Sequence, residues 1–343
     1  MSWAFSTKHE RCTNEMKQAG EMKRVAVLMG GPSSEREVSI ATGTGVLQAL
    51  QSLGYQAEAF DFDHRVVEAL RTFGPDVVFN ALHGVGGEDG QAQAILEWMG
   101  LPYTGTGIQG CAMSMDKHIT KKLLAAEGLP TPAWDVFDLS GGTLPLLPGL
   151  NLPLVVKPVD EGSSVGVAIV RTHDQWKEAM IAYSERYDRV LVEEYVAGRE
   201  FSVPVLFEDV LPVVEIVAED SFYSYEAKYK PGGSRHLVPA PLDEDLTARL
   251  QVLALSTHRL LNLRDYSRTD ILLSREGRPY ILEVNTLPGL TPTSILPDSA
   301  RSMGIAYETL VDRLVRAAYD RHPSKEGTSS GRRVSAHLRR TVP

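Results

Sequence analysis

Apolar and polar positions along the chain follow two periods, and the first third switches between them regularly. Arg24-Val-Ala-Val-Leu-Met29 is a short apolar run ending at Gly30-Gly31, the pattern of a strand entering a turn. Pro32-Ser-Ser-Glu-Arg-Glu-Val-Ser39 then opens a helical spacing marked by Val38, Val46, Leu47 and Leu50. Ser33 or Ser34 is a candidate cap, and Glu35 and Glu37 suit the positive end of that helix. Gln56 to Phe62 reads as a strand, Val66 to Phe73 as a helix and Asp76 to Leu82 as a strand. Alternating strand and helix patterns predict a parallel sheet with helices on its faces. The loop His83-Gly-Val-Gly-Gly-Glu-Asp-Gly90 lies at a carboxyl strand end, where open α/β sheets place ligands.

A helical pattern runs from Met115-Asp-Lys117 to Gly128 and ends at Leu129-Pro-Thr-Pro132. Beyond it the texture changes. Leu154-Val-Val-Lys157 and Val165-Gly-Val-Ala-Ile-Val170 read as adjacent antiparallel strands joined by a Gly/Ser loop. A helix is predicted over Asp174 to Tyr183 and a strand over Val190 to Val196, with further strands near Glu200 to Phe207 and Leu211 to Val217. A polar, Tyr-rich loop spans Ser221 to Pro239, and a helix follows from about Asp245 to Leu261. The expected class is α/β at the start and α+β later, without an internal repeat.

Composition narrows the function. With 343 residues the chain can bury a large core in two or three domains. A formal net charge of -9 argues against a general nucleic-acid binder, which needs clustered Lys and Arg. The cysteines, Cys12 and Cys111, have no metal-ligand or disulfide spacing, and Cys111, among small and apolar residues, reads as packing. Met1 to Met22 lacks the apolar run of a signal peptide, and no stretch approaches a membrane span. The end, from about Pro323, reads as a disordered basic tail. A cytoplasmic protein is expected.

The most informative segment is Arg268 to Asn285. Two strand-like runs flank Glu276-Gly277, a candidate two-residue hairpin turn that would pair Arg275 with Arg278. Counting back, Asp270 falls opposite Glu283 and Arg268 opposite Asn285, all on one face. Opposed carboxylates repel unless a cation sits between them. With Asn285 they form an oxygen donor set of the type Mg²⁺ accepts beside phosphate oxygens. A longer turn would shift this register. In Lys157-Pro-Val-Asp-Glu-Gly162-Ser163-Ser164-Val-Gly166, glycines and hydroxyls can approach an anion, and Lys157 can meet a phosphate. Gly105-Thr-Gly107-Ile-Gln-Gly110 fits the dinucleotide fingerprint, but Pro102 spoils the preceding strand, and a structural turn is the better reading.

These pieces together resemble D-alanine–D-alanine ligases, from about Lys23 to Arg321. The matching stretches are Gly30 to Ser39, Ala81 to Gly90, Ser114 to Lys117, Glu161 to Gly166, Tyr225-Glu-Ala-Lys-Tyr229 and Leu282-Glu-Val-Asn-Thr-Leu-Pro-Gly289. The resemblance implies an ATP-grasp architecture with a Rossmann-like substrate domain over 23–117, a central small domain over 118–194 and a catalytic domain over 195–322; a disordered extension over 1–22 and the tail over 323–343 lie outside it. It also implies residue roles. Lys117 and Lys157 would hold the ATP phosphates with Glu161, Ser163 and Ser164 of the Gly/Ser loop. Glu193, Tyr195 and Val196 would face adenine, and Glu200 the ribose. Asp270, Glu283 and Asn285 would ligate two Mg²⁺ ions, with Mn²⁺ substituting.

On the substrate side, Glu35, Ser163 and Tyr229 would form a hydrogen-bonded trio, with His83 and Glu35 near the first substrate's ammonium. Arg268 and the Gly289 amide would stabilise the tetrahedral oxyanion. Lys228 and Ser294 would meet the transferred phosphoryl group and the second carboxylate, with Ile295 beside them. The implied reaction joins two D-alanines through an acyl-phosphate, for peptidoglycan precursor synthesis, in a homodimer without nucleic-acid or membrane partners. The Ser221 to Pro239 loop is the candidate lid. Thr269 and Ile295 depart from the commoner aliphatic and leucine of the family. D-alanine–D-lactate ligase is the alternative within the class, against which Tyr229 speaks. A nicotinamide-dependent dehydrogenase, resting on the Gly105 to Gly110 turn, and an ATP-binding module without catalysis are more distant alternatives.

Overall fold

The computed structural model describes residues 24–141, 145, 149–162, 166–218 and 234–321. The expectations for Ser163, Ser164, Lys228, Tyr229, most of the candidate lid and both termini lie outside the described residues.

The first part holds β1 (Arg24–Met29), α1 (Arg36–Ser52), β2 (Gln56–Asp61), α2 (Val66–Phe73) and β3 (Val77–Asn80), then α3 (Gln91–Met99), α4 (Ile108–Met115) and α5 (Lys117–Ala126). The strands form a parallel sheet in the order β2-β1-β3. β1 is apolar from Val25 to Met29 because both its faces are covered. Val25 and Val27 pack with Val46 and Leu50 of α1, whereas Ala26 and Leu28 pack with Val66 and Leu70 of α2 and Leu96 of α3. Neither Ser33 nor Ser34 caps α1. Ser33 Oγ instead donates to His83 O at 2.7 Å and accepts from Glu35 N at 3.1 Å, and Glu35 occupies the cap position.

The middle part is built from β4 (Trp134–Asp138), β5 (Leu154–Pro158), β6 (Ala168–Val170), α6 (His173–Ser184) and β7 (Arg189–Glu194). Its strands pair antiparallel in the order β4-β7-β5-β6, as expected for the runs on either side of the Gly/Ser loop. Leu154, Val156, Val190 and Val192 bury one face against Trp176, Met180 and Tyr183 of α6. By the period of two, Val155, Lys157, Leu191 and Glu193 turn to the other face.

The last part contains β8 (Gly198–Leu206), β9 (Asp209–Val210), β10 (Val214–Ala218), β11 (Ser234–Leu237), α7 (Glu244–Leu260), β12 (Tyr266–Ser274), β13 (Pro279–Asn285), α8 (Ile295–Ser302) and α9 (Tyr307–Asp320). An antiparallel sheet runs β11-β10-β8-β12-β13, with β9 paired to β8. Phe201, Val203, Val205, Ile271 and Leu273 pack beneath Leu250 and Ala254 of α7. Glu200, Ser202, Arg268 and Asp270 therefore share the opposite face. α9 returns to the first sheet, where Leu310, Val311 and Leu314 pack with Val25 and Val27.

The β12–β13 turn corrects one expectation. Ser274 N donates to Arg278 O at 2.8 Å, so Ser274 faces Arg278, and the loop is Arg275-Glu276-Gly277 rather than Glu276-Gly277. Gly277, at φ 75°, takes the left-handed conformation such a three-residue loop needs. The extra turn residue shifts the pairs nearest the loop, Ile271 with Ile281 and Leu273 with Pro279. A bulge at the Asp270/Ile271 step then places Leu282 as the extra residue of β13. Beyond the bulge Asp270 again faces Glu283, and Arg268 faces Asn285.

Candidate active site

The face of β12 and β13 turned away from α7 forms one floor of the site. Arg268 grips Asp270 in a fork, with Nε to Oδ1 at 2.8 Å and Nη2 to Oδ2 at 2.7 Å. Ser202 Oγ donates to Asp270 Oδ1 at 2.6 Å, and Asn285 Nδ2 to Oδ2 at 3.1 Å. Asp270 is 3% exposed, so this carboxylate is desolvated and held by three side chains. Among the described residues no group of three or more His, Cys, Asp and Glu side chains is gathered to hold a metal ion. The set at this floor is two carboxylates and an amide. Asp270, Glu283 and Asn285 offer oxygen donors only, which fits a hard divalent cation.

A cavity of about 450 Å³ opens over this floor and is lined by Glu35, His83, Arg268, Asp270, Asn285, Gly289, Ser294 and Ile295, among others. It gathers the residues expected at the amino-acid subsites, Tyr229 apart. His83, 5% exposed, has Nε2 3.0 Å from Thr42 Oγ1 and Nδ1 3.7 Å from Glu88 Oε1. Ser294 stands at the start of α8 with its Oγ 2.8 Å from Thr291 Oγ1. A Cβ at Gly289 would sit 3.1 Å from that Oγ, so this glycine leaves little room for a side chain there.

The Glu35 carboxylate lies between two glycines. A Cβ on Gly162 would come within 2.6 Å of Glu35 Oε2, and one on Gly84 within 2.9 Å. The first part of the chain thus meets Gly162, at the start of the Gly/Ser loop, across a carboxylate. Gly162 borders a smaller cavity with Lys117, Glu161, Glu283 and Asn285, which adjoins the larger one at Glu35, Glu88 and Asn285. Lys117, the first residue of α5, donates to Glu161 O and lies 4.0 Å from Glu283 Oε2. Burial pushes its ammonium below the usual lysine range, with Glu283 opposing.

The second charged surface is the face of the four-stranded sheet opposite α6. Lys157 Nζ lies 2.6 Å from Glu193 Oε1, and Lys121 Nζ of α5 2.8 Å from Glu193 Oε2. Burial pushes the Glu193 carboxyl up, but Lys157 and Lys121 outweigh it and hold it below its usual range. Tyr195 and Val196 follow in the link to β8, with Tyr195 N bonded to Pro153 O at 3.2 Å. Glu200 lies on the catalytic face of β8, opposite Leu272, and borders neither cavity. Ser202, Thr42 and Lys121 were not singled out in the sequence. Lys121 had a signal there: it lies four residues after Lys117 in one helix, and such residues share a face.

Two other motifs are structural. Gly105 N donates to Asp265 Oδ2 at 2.7 Å, and Arg264 Nε to Gly105 O at 2.8 Å, so the protein's own groups close the glycine-rich turn. Cys111 is fully buried, and burial pushes its thiol up to about 12.

Known proteins resemble this chain over most of its length. The family model described as D-ala D-ala ligase C-terminus matches residues 123–316, and the one described as D-ala D-ala ligase N-terminus matches 68–106. A D-alanine–D-alanine ligase of Moorella thermoacetica is 43% identical over 308 residues, which is 87% of this chain and 99% of that protein. One from Gluconobacter oxydans is 46% identical over 306 residues, 87% of this chain and 100% of that protein. The crystal structure of the Bacillus anthracis enzyme complexed with ATP is similar at a TM-score of 0.75 and 32% identity, covering 87% of this chain and 98% of that one.

Proposed function

The chain belongs to the D-alanine–D-alanine ligase family, an ATP-grasp family, and on that premise we propose that it joins two D-alanines with hydrolysis of ATP to ADP and phosphate. The observation that carries the reading is the cavity in which Glu35, His83, Arg268, Asn285, Gly289 and Ser294 converge beside the two charged floors. A carboxylate is a poor electrophile. One oxygen of the first D-alanine therefore attacks the γ-phosphorus of ATP, the bond to ADP breaks, and an acyl-phosphate forms. The amine of the second D-alanine attacks the acyl carbon, and the tetrahedral intermediate collapses with loss of phosphate and an amine proton.

The residues act mainly by position and charge. Lys117 and Lys157 meet the phosphates as point charges, with Glu161, Ser163, Ser164 and Lys228 in support. Glu193, Tyr195 and Val196 face the base and Glu200 the ribose. Arg268 and the Gly289 amide meet the oxyanion. The fork to Asp270 directs two of the five guanidinium N–H donors, which fixes the plane in which the rest are presented. Glu35 and His83 receive the first ammonium, with Ser163 and Tyr229 completing the trio, and Ser294 and Ile295 receive the second substrate. Asp270, Glu283 and Asn285 would hold Mg²⁺, which would neutralise phosphate charge, with Mn²⁺ as its substitute. The family reading also supports domains divided near 117 and 194, a homodimer and a cytoplasmic location. No described helix is long and apolar enough to cross a membrane.

The test is phosphate release from ATP and Mg²⁺ with D-alanine, with L-alanine, and with D-alanine plus D-lactate. Release with D-alanine alone is expected, with D-alanyl-D-alanine as the product. Absence of release with D-alanine refutes the reading, and a depsipeptide as main product replaces it with the D-lactate alternative.

A further inference from the structure

One buried charge lies outside every role assigned above. Lys121, on α5, is 1% exposed, and its ammonium donates to Thr131 Oγ1 at 2.6 Å and Pro132 O at 3.2 Å and forms an ion pair with Glu193 Oε2 at 2.8 Å. Two hydrogen bonds and one ion pair thus surround the group. The Trp134 ring, 5.4 Å away, covers another side of the ammonium. A cation so fully coordinated is placed by the fold and takes no direct part in ligand binding.

Its partner explains why it is there. Glu193 is 3% exposed and lies between Lys121 and Lys157, one ammonium on each carboxylate oxygen. Were Lys157 the sole counter-charge, the two would form a neutral buried pair. In a desolvated site such a pair holds its ammonium strongly, because its mutual attraction is little screened. With Lys121 on the other oxygen, the cluster carries a net charge of +1. The attraction of Glu193 is divided between two cations, and the surplus charge falls to Lys157, which lies on a strand leading into the Gly/Ser loop.

We propose that Lys121 is a positioning residue of the nucleotide site, which shares the Glu193 carboxylate so that the Lys157 ammonium stays available to the phosphates of ATP. The proposal rests on the ligase reading for the identity of the nucleotide. Lys121 also couples the two floors: Thr131 Oγ1, which accepts from Lys121, donates to Ile281 O at 2.9 Å, two residues before Glu283 on β13. Burial brings the Lys121 ammonium down to about 8 and Glu193 opposes this, so the shared carboxylate is what keeps the group charged near neutral pH.

The experiment is a double-mutant cycle on the full-length enzyme, reading KM for ATP and kcat with D-alanine saturating. Lys121→Met should raise KM for ATP about tenfold and alter kcat less, with KM for D-alanine unmoved. Lys121→Arg, which keeps the charge, should recover much of the loss. In the Glu193→Gln background, Lys121→Met should change KM for ATP by less than about twofold, because no carboxylate remains to capture Lys157. A role in stability alone predicts a lower Tm with KM for ATP unchanged in Lys121→Met, and that result overturns the proposal. So does a tenfold gap between Glu193→Gln and the double variant, a comparison that stands even if Lys121→Met does not fold. Wild-type enzyme that releases no phosphate would instead refute the ligase reading, which separates the two failures.

Discussion

The two charged floors of the site solve opposite problems with the same architecture. On β12 and β13, Asp270 and Glu283 face each other directly, so carboxylates dominate and the deficit is positive charge. On β5 and β7, Glu193 meets two lysines, so ammonium groups dominate and the deficit is negative. In each case one residue from nearby moderates the excess. Arg268 forks onto Asp270 from the same strand, and Lys121 reaches Glu193 from a helix. The difference is instructive. The first floor calls for a cation and the second for an anion, and on the proposed reading a nucleoside triphosphate with its divalent ion would supply both.

If the moderators were only balancing charge, removing them would affect stability and leave turnover intact. Arg268 provides the sharpest separation. Arg268→Ala should lower kcat by at least about a hundredfold, the size expected on losing an oxyanion donor. Adding Asp270→Asn to that variant should ease the buried charge and raise Tm without restoring turnover. Recovery of kcat in the double variant would reduce Arg268 to a counter-ion and break the comparison. The second floor should respond in affinity. Lys157→Met removes a charge-assisted contact to phosphate, and KM for ATP should rise about tenfold or more. A rise only in KM for D-alanine would contradict its place on the nucleotide side.

How much of this was legible in the sequence follows the range of the contacts. The opposed pair Asp270 and Glu283 is legible in local periodicity because two departures from the expected hairpin cancel. The loop is one residue longer than expected, and the bulge at Leu282 returns the strand to the expected register. A bulge has no composition signal of its own, since Leu282 looks like any other strand residue. The Lys157–Glu193–Lys121 cluster was only half visible. Glu193 and Lys157 share a face by period two, but their closeness depends on β5 and β7 pairing across the intervening helix α6. Lys121 joins them through the packing of α5, a tertiary contact that no local pattern carries. β4, Trp-Asp-Val-Phe-Asp, carries two aspartates in five residues and so has too short an alternation to mark a strand.

The smallest test concerns the back of the catalytic floor. His258 of α7 lies 2.7 Å from Ser267 Oγ, one residue before Arg268 and therefore on the opposite face of β12. Burial pushes its imidazole down to about 4, from the 6.5 of an ordinary histidine. The folded state then binds fewer protons than the unfolded one between these values, so stability falls as pH drops below about 6.5 and the loss is complete below about 4. Between pH 7.5 and 5.5 the loss is about 1 kcal/mol for this group. His258→Gln should therefore flatten the acid limb of denaturant-unfolding free energy by about that amount, while KM for ATP at neutral pH stays near wild type. An unchanged acid limb would mean that the imidazole gains its proton in the folded protein as readily as in the unfolded chain, and that α7 opens enough to hydrate it.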